Sequence, residues 1–438
     1  MVDSSASSVN APAHLPDDES GAGVEGEPLM SGLNPFAPGF YDDPYGQYRD
    51  LRENDPVHHS PMGLWFLSRW ADCHQVLRLG GTSVNEANAV IRDRTDALEA
   101  AARERGARRS RSILGTDPPD HTRIRKLVSK AFTPRTVARL ESRVAEVADE
   151  RMTAAAAVGG TVDLIAELAF PLPFQVIHEM LGMPDSIDKG HLRSLSQTVT
   201  QVLDPVLAMV HADEIFAASE QLQVLIAEAV AWKRANPGDD LLTGLVQAED
   251  DGATLSDEEL ADNVTLLYLA GHETTVNLIG NGLLALLRHP DQATLLRNDP
   301  GLDQGAIEEL LRYESPVQFS RRIALEPIEV AGATVGPGEI MLTGLGAANR
   351  DPAKFGPTAE ELDITRADAH HHISFGSGVH HCLGAALARL EGRQTIPRLL
   401  RRFPELALAT DDIDWNGRMV LRGVAHLPVE LGPDTHAA

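Results

Sequence analysis

The stretch of sequence that decides the fold runs from His370 to Gly384 and reads HHHISFGSGVHHCLG. It places one cysteine, Cys382, between a glycine-rich loop and a segment with the apolar spacing of a helix. The residues that set this spacing are Leu383, Ala386, Leu387 and Leu390. We therefore expect a helix to begin at or just after Cys382. A thiol in that position faces unpaired N–H groups and the positive end of the helix dipole, and both favour the thiolate.

Small and apolar residues surround the cysteine in a way that suits a broad planar group. Gly376, Gly378 and Gly384 remove side chains where such a group would approach the backbone, and Phe375 supplies an apolar wall. The pattern favours a thiolate bound to a metal inside a planar cofactor, which indicates haem iron. A lone cysteine is more often a small buried hydrophobe, however, and the neighbouring histidines alone would fit a surface cluster.

The complete spacing F-G-x-G-x-H-x-C-x-G, from Phe375 to Gly384, resembles the cysteine-ligand loop of the cytochrome P450 superfamily, the haem-thiolate monooxygenases. The resemblance extends from about Asn34 to Leu431, with the motifs in the family's order. It implies a mainly α fold with small β-sheets (α+β), in which a long central helix lies over the haem. We expect residues 33–438 to form this single domain. Residues 1–32, rich in Ser, Ala, Gly, Pro and acidic residues, are expected to be a disordered tail.

Composition and charge narrow the functional class. The chain has 438 residues, and Lys and Arg total 38 against 64 Asp and Glu, a formal charge of −26. Such an acidic chain is not expected to bind nucleic acid. Cys73 and Cys382 form no disulfide framework, which is typical of a reducing compartment. Because no apolar run reaches about 18 residues and no signal peptide is recognisable, we expect a soluble cytoplasmic protein without a membrane span.

The second diagnostic element begins at Ser256, where Ser256-x-x-Glu259 forms a capping box. The apolar pattern that follows predicts a buried helix to about Arg288, stopped by Pro290. Its middle reads AGHETT, residues 270–275. A carboxylate and a hydroxyl in a buried helix are costly unless they have partners, so this segment indicates function. The alternative is an ordinary threonine-to-backbone hydrogen bond, with the glutamate at a water-filled cavity.

The AGHETT segment resembles the family's oxygen-binding groove, (A/G)-G-x-(D/E)-T. The resemblance implies that Ala270 and Gly271 contact the haem, with Gly271 leaving a gap that faces dioxygen. It makes Glu273 the acid of a proton relay and Thr274 the hydroxyl beside the oxygen-binding position.

The propionates of a haem need cationic partners, because a buried carboxylate without one is costly. His121 and Arg125 lie four residues apart, hence on one helix face, in the segment DPPDHTRIR. A histidine and an arginine at this spacing usually lie on the protein surface without a functional role, but here they match the family's propionate-binding pair. The resemblance adds Arg322, with Arg321 leaving the register open by one residue. It also adds His380, which is expected to hydrogen-bond a propionate.

Two further features concern structure rather than chemistry. Glu309 and Arg312 match the family's buried E-x-x-R pair, although exposed pairs at this spacing are worth only about 0–1 kcal/mol. Pro397 departs from the family's pattern, since a proline inside the helix after Cys382 is expected to kink or end it.

Two groups of basic residues carry weaker functional hypotheses. The arginine-rich segment at residues 103–111 is best explained as a solvated helix face, but as a basic lid over the pocket it would favour an acidic substrate. The second group is a basic patch behind the cysteine, suited to an acidic electron-transfer protein. Its members are Arg123, Lys126, Lys130, Arg389 and Arg393.

The resemblance implies one haem b, with its iron bound axially by Cys382, and a monooxygenase reaction. One atom of dioxygen enters a C–H or C=C bond of a small molecule, and the other leaves as water. Electrons are expected from NAD(P)H through a ferredoxin reductase and a ferredoxin, because the chain has no flavin or iron–sulfur motif. The Ala-, Arg-, Leu- and Gly-rich composition resembles actinobacterial members, many of which tailor macrolides, other polyketides and peptides. We therefore expect a bulky apolar substrate of this kind and a monomeric enzyme.

Three alternatives stay open. A haem-thiolate enzyme driven by peroxide, or one that couples substrates oxidatively, is the first, and an intact Glu273–Thr274 pair disfavours peroxide use. A non-enzymatic metal-binding protein would use Cys382 with the histidines at 370–372, 380 and 381, although zinc sites usually combine Cys and His in two close pairs. A catalytically silent docking relative is disfavoured because Cys382 and the relay residues are retained.

Overall fold

The computed structural model describes residues 32–61, 63–90 and 110–436 of the chain. The predicted tail at residues 1–32 lies outside the described residues except for Gly32, so its disorder stays a prediction. The arginine-rich segment is described only from Ser110 onward, which leaves the hypothesis of a basic lid outside them as well.

Helices dominate the described chain. They are α1 (Tyr45–Asn54), α2 (Trp70–Arg78), α3 (Asp120–Ala131), α4 (Pro134–Arg139), α5 (Glu141–Val158), α6 (Pro171–Leu181), α7 (Lys189–Val199), α8 (Pro205–Val210), α9 (Ala212–Ala235), α10 (Leu241–Val246), α11 (Asp257–Arg288), α12 (Pro290–Asn298), α13 (Asp303–Tyr313), α14 (Leu345–Ala348), α15 (Pro352–Phe355) and α16 (Ala385–Arg402). Short 3₁₀ turns lie at Glu86–Asn88, Thr200–Leu203, Pro300–Leu302, Ala369–His371 and Gly378–His380, and a π-helical turn lies at Ile165–Ala169. Across the described ranges, no helix combines the length and the apolar character needed to cross a membrane.

The strands of the described residues form four small sheets. They are β1 (Val57–His59), β2 (Leu64–Leu67), β3 (Thr82–Ser83), β4 (Thr161–Asp163), β5 (Glu249–Asp250), β6 (Ala253–Thr254), β7 (Phe319–Ala324), β8 (Ile328–Val330), β9 (Ala333–Val335), β10 (Ile340–Gly344), β11 (Ala407–Leu408) and β12 (Pro428–Glu430). The largest sheet has the order β1-β2-β10-β7-β3, in which β2 and β10 run parallel and the other pairs antiparallel. At the tip of the β8–β9 hairpin, Ala331 and Gly332 have φ values of 47° and 88°, as expected for a tight two-residue hairpin turn.

The core is organised around α11. The Ser256 hydroxyl accepts a hydrogen bond from Glu259 N at 3.2 Å, and the Glu259 carboxylate accepts one from Ser256 N at 2.9 Å. The helix ends at Arg288, before Pro290 begins the next one, so both predicted ends are confirmed. It is buried along most of its length and packs against α6, α9, α13 and α16. This packing fixes the AGHETT segment in the middle of the domain.

The helix that follows Cys382 corrects one prediction. It begins at Ala385, shortly after the cysteine, and continues through Pro397 to Arg402. Pro397 therefore does not end the helix, and a kink at this point stays a prediction. Proline removes one backbone hydrogen bond, but α16 packs against α5, α11 and α13, with Ile396 and Leu399 fully buried. Tertiary packing outweighs the lost hydrogen bond.

A fully buried ion pair holds α13 to the chain that follows it. Arg312 donates to both carboxylate oxygens of Glu309, at 2.6 and 2.8 Å, and both side chains are 0% exposed. The guanidinium also donates to the carbonyl oxygens of Asn349, Ala359 and Glu361. A dry ion pair is tolerated when its remaining donors have partners. The predicted buried structural pair is confirmed.

Asn349 connects this region to the cysteine loop. Its amide Nδ2 donates to the hydroxyls of Ser315 and Ser374, at 2.7 Å each, and its Oδ1 accepts from Ile373 N at 2.8 Å. The segment that leads to Cys382 is therefore fixed to the end of α13 by buried hydrogen bonds.

Arg312→Met leaves the Glu309 carboxylate buried without its main partner. Arg366 keeps one contact with Glu309 at 3.3 Å, but Oε2 loses its donor. We expect the free energy of unfolding to fall by about 3 kcal/mol, because a buried charge that loses its main partner is strongly destabilising. The comparison variant is Arg398→Met, which removes a partly exposed guanidinium 3.5 Å from Asp149 and is expected to cost no more than about 1 kcal/mol. Urea unfolding followed by circular dichroism measures both, and equal losses would contradict the role given to the buried pair.

Candidate active site

The loop before Cys382 is a tight turn whose backbone groups bond to one another. Cys382 N donates to Phe375 O at 2.9 Å, and Gly376 N donates to Ile373 O at 2.8 Å. Gly376 has a φ of 68°, a conformation that glycine adopts without strain. The loop thereby holds Cys382 in a defined position ahead of α16.

Gly378 is needed for a different reason than the one inferred from the sequence. It has a φ of 72°, and a Cβ added there would lie 2.5 Å from Leu77 O at the end of α2. Gly378 therefore lets the loop approach α2, instead of leaving room for a planar group. A Cβ added at Gly384 would lie 3.9 Å from Cys382 Sγ, an ordinary contact distance. That Gly384 leaves room for a planar group therefore stays a prediction.

The two cysteines have opposite surroundings. Cys73 is fully buried in α2, where it packs in the core and its thiol donates to Leu67 O at 3.2 Å. Cys382 is solvent-accessible. Of the two, only Cys382 can bind an incoming ligand without disrupting the core.

The surroundings of the Cys382 thiol shift its pKa in opposite directions. Burial by the surrounding protein raises its pKa, although the side chain stays accessible on one side. The N–H groups of Gly384 and Ala385 and the guanidiniums of Arg125 and Arg389 act in the opposite direction. The N–H groups predicted to favour the thiolate are thus present, but burial outweighs them. A cation bound to the accessible side of this sulfur would stabilise its anionic form.

Basic side chains converge beside the cysteine loop. His121 is buried, neither of its ring nitrogens has a hydrogen-bond partner, and its ring centre lies 4.2 Å from that of His380. Arg125 donates to His381 O at 2.6 Å. Burial lowers the pKa of His121 and lowers that of His380 to about 4, because a charged imidazole would lose its water. Both rings are therefore neutral at pH 7.

Two neighbouring arginines of strand β7 differ in burial. Arg322 is buried, whereas Arg321 is 40% exposed and pairs with Glu86 at 2.6 Å. Arg322 donates to Ser320 Oγ and to Arg321 O. Burial lowers the pKa of Arg322 to about 10, against an opposing effect of Asp117. The inward side chain is the one that the sequence assigned to the propionates.

These side chains fit the two propionates of a haem. Within the described part of the chain, neither Arg125 nor Arg322 forms an ion pair with a carboxylate. Both cations influence the pKa of His380 and that of His121, so the four groups lie near one another. Buried polar groups without partners are unusual, and buried cations favour an anion nearby. Two carboxylates would satisfy both requirements.

The middle of α11 contains both predicted relay residues. Thr274 Oγ1 donates to Ala270 O at 3.2 Å, the threonine-to-backbone bond considered as the alternative. Ala270 is exposed, so this turn of the helix is open to a space. Gly271 faces α6, where an added Cβ would lie 2.9 Å from the Ile177 side chain. Gly271 therefore has a packing role, and its part in a gap for dioxygen stays a prediction.

The Glu273 carboxylate has a partner that the sequence did not reveal. Glu273 is buried, and its Oε1 accepts a hydrogen bond from an Nη of Arg418 at 2.8 Å. The two residues are 145 positions apart. The requirement for a partner follows from the sequence, but no motif marks Arg418 as that partner.

The predicted basic patch is largely neutralised within the chain. Its ion pairs are Arg123–Glu259, Lys126–Asp250, Lys130–Asp250, Arg389–Glu308 and Arg393–Glu141. Arg389 also lies over the ring of the half-buried Phe375, with 4.6 Å between the guanidinium carbon and the ring centre. Exposed ion pairs are weak and exchangeable, so a role of this face in docking stays a prediction.

The histidine-rich run does not assemble a metal site. His372 is buried with its Nε2 3.1 Å from a carboxylate oxygen of Glu308, while His370 and His371 contact each other at the surface. Within residues 32–61, 63–90 and 110–436, no three His, Cys, Asp or Glu side chains are grouped so that they could hold one ion. The zinc alternative has no structural support.

Known proteins related to this chain identify its family. A family model described as cytochrome P450 matches residues 89–299 and 302–419. The chain belongs to the cytochrome P450 family. It is similar to the vitamin D(3) 25-hydroxylase of Pseudonocardia autotrophica, with 41% identity over 418 residues, 94% of this chain and 98% of the relative. It is also similar to the 6-deoxyerythronolide B hydroxylase of Saccharopolyspora erythraea, with 41% identity over 324 residues, 73% of this chain and 76% of the relative.

The fold of this P450 matches solved structures. The bacillaene polyketide synthase cytochrome P450 PksS of Bacillus subtilis superimposes with a TM-score of 0.81 and 35% identity, covering 91% of this chain and 100% of that one. The predicted P450 fold, mainly α with small sheets, is confirmed. The predicted enzyme class, a P450 monooxygenase, and the cofactor, one haem ligated by a cysteine thiolate, are confirmed by family membership. Membership also implies a small-molecule substrate and redox partners.

Gly378→Ala places a methyl group against Leu77 O. We expect the loop to shift and the haem content of the purified protein to fall, because a 2.5 Å contact cannot be kept. The matched variant is Gly356→Ala, which has a similar φ of 78° but no atom within 4 Å of the added Cβ. It also places an alanine at a positive φ, but without the clash. Haem absorbance per protein measures both, and equal haem content would contradict the importance of the contact with α2.

Proposed function

We propose that this P450 hydroxylates or epoxidises a bulky apolar small molecule of secondary metabolism, such as a macrolide, another polyketide or a peptide. The observation that carries the proposal is the accessible Cys382 thiol, which lies among backbone N–H donors and close to the half-buried Arg125, a cation without a carboxylate partner in the described chain. That combination suits a bound anionic sulfur next to a dianionic cofactor edge.

The residues around Cys382 hold the cofactor. Cys382 binds the haem iron through its thiolate, and the N–H groups of Gly384 and Ala385 stabilise the charge on the sulfur. A haem ligated in this way activates dioxygen and favours O–O cleavage. The propionates are bound by His121, Arg125, Arg322 and His380. The remaining contacts to the cofactor come from Ala270, Gly271, Phe375 and Gly384.

Glu273 and Thr274 supply protons. The overall reaction takes two electrons and two protons, inserts one atom of dioxygen into a C–H or C=C bond, and releases the other as water. The Thr274 hydroxyl donates its hydrogen bond to Ala270 O in this structure. The lone pairs of Oγ1 can therefore accept a hydrogen bond on the open side of the helix. Glu273 passes protons inward from solvent. A peroxide-driven enzyme needs no such relay, so the intact pair favours the dioxygen reaction.

The substrate class rests on the relatives. Those named above include hydroxylases of vitamin D(3) and 6-deoxyerythronolide B and a polyketide synthase P450. Vitamin D(3) and 6-deoxyerythronolide B are both bulky and mainly apolar.

Electrons reach the haem from NADPH through a ferredoxin reductase and a ferredoxin. The sequence supports this, since it contains no flavin or iron–sulfur motif. The enzyme acts as a monomer in the cytoplasm, with residues 33–438 as its single domain.

Cys382→Ala removes the proposed axial ligand. We expect the reduced, carbon monoxide-bound protein to lose the strongly red-shifted absorption band, because that band requires thiolate ligation. Cys73→Ala removes the other thiol, which is buried away from the loop, and should keep the band. A red-shifted band in Cys382→Ala would overturn the ligand assignment.

Thr274→Ala tests the relay. The haem-loaded enzyme is assayed with NADPH, spinach ferredoxin and its reductase, using whichever of vitamin D(3) or 6-deoxyerythronolide B gives the larger haem spin shift. We expect product per NADPH to fall about 10²-fold, the lower range for a lost acid–base group, with the reducing equivalents recovered as hydrogen peroxide.

The matched control is Thr275→Ala, which changes the next, buried threonine of the same helix and should keep the yield. An unchanged yield in Thr274→Ala would remove the relay assignment. The absence of a spin shift with both compounds would count against the proposed substrate class.

A further inference from the structure

A turn near the C-terminus, residues 416–419, holds the relay acid from a distant part of the chain. One Nη of Arg418 donates to Glu273 Oε1 at 2.8 Å and to Thr200 Oγ1 at 3.1 Å, and the other donates to Gln197 O at 3.3 Å. The Arg418 and Glu273 side chains are 12% and 11% exposed. One guanidinium therefore joins the middle of α11 to the end of α7.

A second contact ties the same turn to the same segment. Met419 N donates to Asp204 Oδ2 at 2.6 Å, and both residues are buried. Asp204 directly follows the 3₁₀ turn Thr200–Leu203, which continues α7. We call the contacts of Arg418 and Met419 with residues 197–204 the C-terminal clasp.

Other charged groups near Glu273 do not replace Arg418. His272 Nε2 lies 3.9 Å from Glu273 Oε2, but burial lowers the pKa of His272, so the imidazole is neutral at pH 7. Arg193 on α7 acts on Glu273 through space, and its guanidinium lies over the Phe170 ring at 3.7 Å. Among the described residues, Arg418 is the cation in hydrogen-bond contact with Glu273.

The orientation of a proton-carrying acid determines its rate. A carboxylate must come within about 2.6–3.2 Å of the group or water that exchanges its proton. A glutamate side chain has several rotatable bonds, and a guanidinium that binds one of its oxygens removes most of that freedom. A misplacement of about 1 Å can cost roughly 10²-fold in rate.

We propose that Arg418 is a positioning residue for Glu273, and that the C-terminal clasp makes its position depend on residues 197–204. This inference rests on the proposed relay role of Glu273. While residues 197–204 lie against the turn, Arg418 keeps all its partners and Glu273 is fixed. A displacement of that segment takes away two partners of Arg418, Gln197 O and Thr200 Oγ1, so Glu273 gains freedom. Proton supply is thereby coupled to the closed arrangement of α7 over α11.

The kinetic test compares Arg418→Met with Arg418→Lys in the haem-loaded enzyme. NADPH oxidation is measured with spinach ferredoxin and its reductase, without added substrate, in H₂O and in D₂O. We expect Arg418→Met to lower kcat about tenfold while the KM for ferredoxin is unchanged, and to raise the solvent isotope effect, because proton transfer becomes limiting. Arg418→Lys keeps the charge and should recover part of kcat. An unchanged kcat and isotope effect in Arg418→Met would overturn the proposal.

A double-mutant cycle tests whether Arg418 affects kcat through Glu273. If Arg418 acts through Glu273, then Arg418→Met should slow the Glu273→Gln enzyme no further, whereas additive losses would overturn the inference. The matched control is Arg402→Met, which removes a buried guanidinium paired with Asp434 at 2.7 Å. An equal loss of kcat there would show a general effect of lost stability and would also overturn it. If Glu273→Gln leaves kcat unchanged, the proposed relay itself fails.

Amide hydrogen exchange tests the clasp without turnover. In the haem-loaded protein, we expect Arg418→Met and Asp204→Ala each to raise exchange in both partner segments, residues 197–204 and 416–420, because the contacts join them. Peptides from α13 serve as the internal reference and should not change. Unchanged exchange in both segments would overturn the clasp, whatever the relay residues do.

Discussion

The cofactor side of this P450 depends on the fully buried ion pair between Arg312 and Glu309. The charge of Arg312 is balanced by Glu309, and its other donors bind backbone carbonyls of the segment after β10. Because the guanidinium is fully buried, the segment cannot move without leaving a buried charge short of partners. Asn349 then passes the same constraint to the loop before Cys382. The position of the sulfur is therefore set by a dry ion pair in another helix.

Two acid–arginine pairs of this chain serve different ends because their surroundings differ. The Glu309–Arg312 pair is fully buried and extended by further hydrogen bonds, so it fixes structure. The Glu273–Arg418 pair keeps some exposure and joins three separate elements, so it can respond to their movement. The exposed pairs behind the cysteine, such as Lys126–Asp250, reduce the local charge and fix little. The degree of burial therefore distinguishes the structural pair, the Glu273–Arg418 pair and the exposed surface pairs.

The sequence was sufficient wherever local chemistry decides structure. The capping box at Ser256 and the stop before Pro290 depend on a few neighbouring residues, and each was predicted correctly. The buried pair of Glu309 and Arg312 was also foreseen, because its spacing matches a family motif.

Contacts between distant segments could not be predicted in the same way. Arg418 carries no local signal, since its acid lies 145 positions away. The need for glycine at position 378 comes from a carbonyl of α2 that only the fold brings near. The helix does not end at Pro397, because packing on α11 and α13 outweighs a local helix rule. Which of the two neighbouring arginines, Arg321 or Arg322, is buried follows from the orientation of β7 in the sheet.

One contact made by Arg418 has an evolutionary consequence. It reaches the end of α7 partly through the carbonyl of Gln197, a backbone atom that every amino acid supplies. Side chains on α7 can therefore be replaced in evolution while this tether survives each replacement. The proposed positioning of Glu273 by Arg418 would then be inherited unchanged by variants that differ along α7.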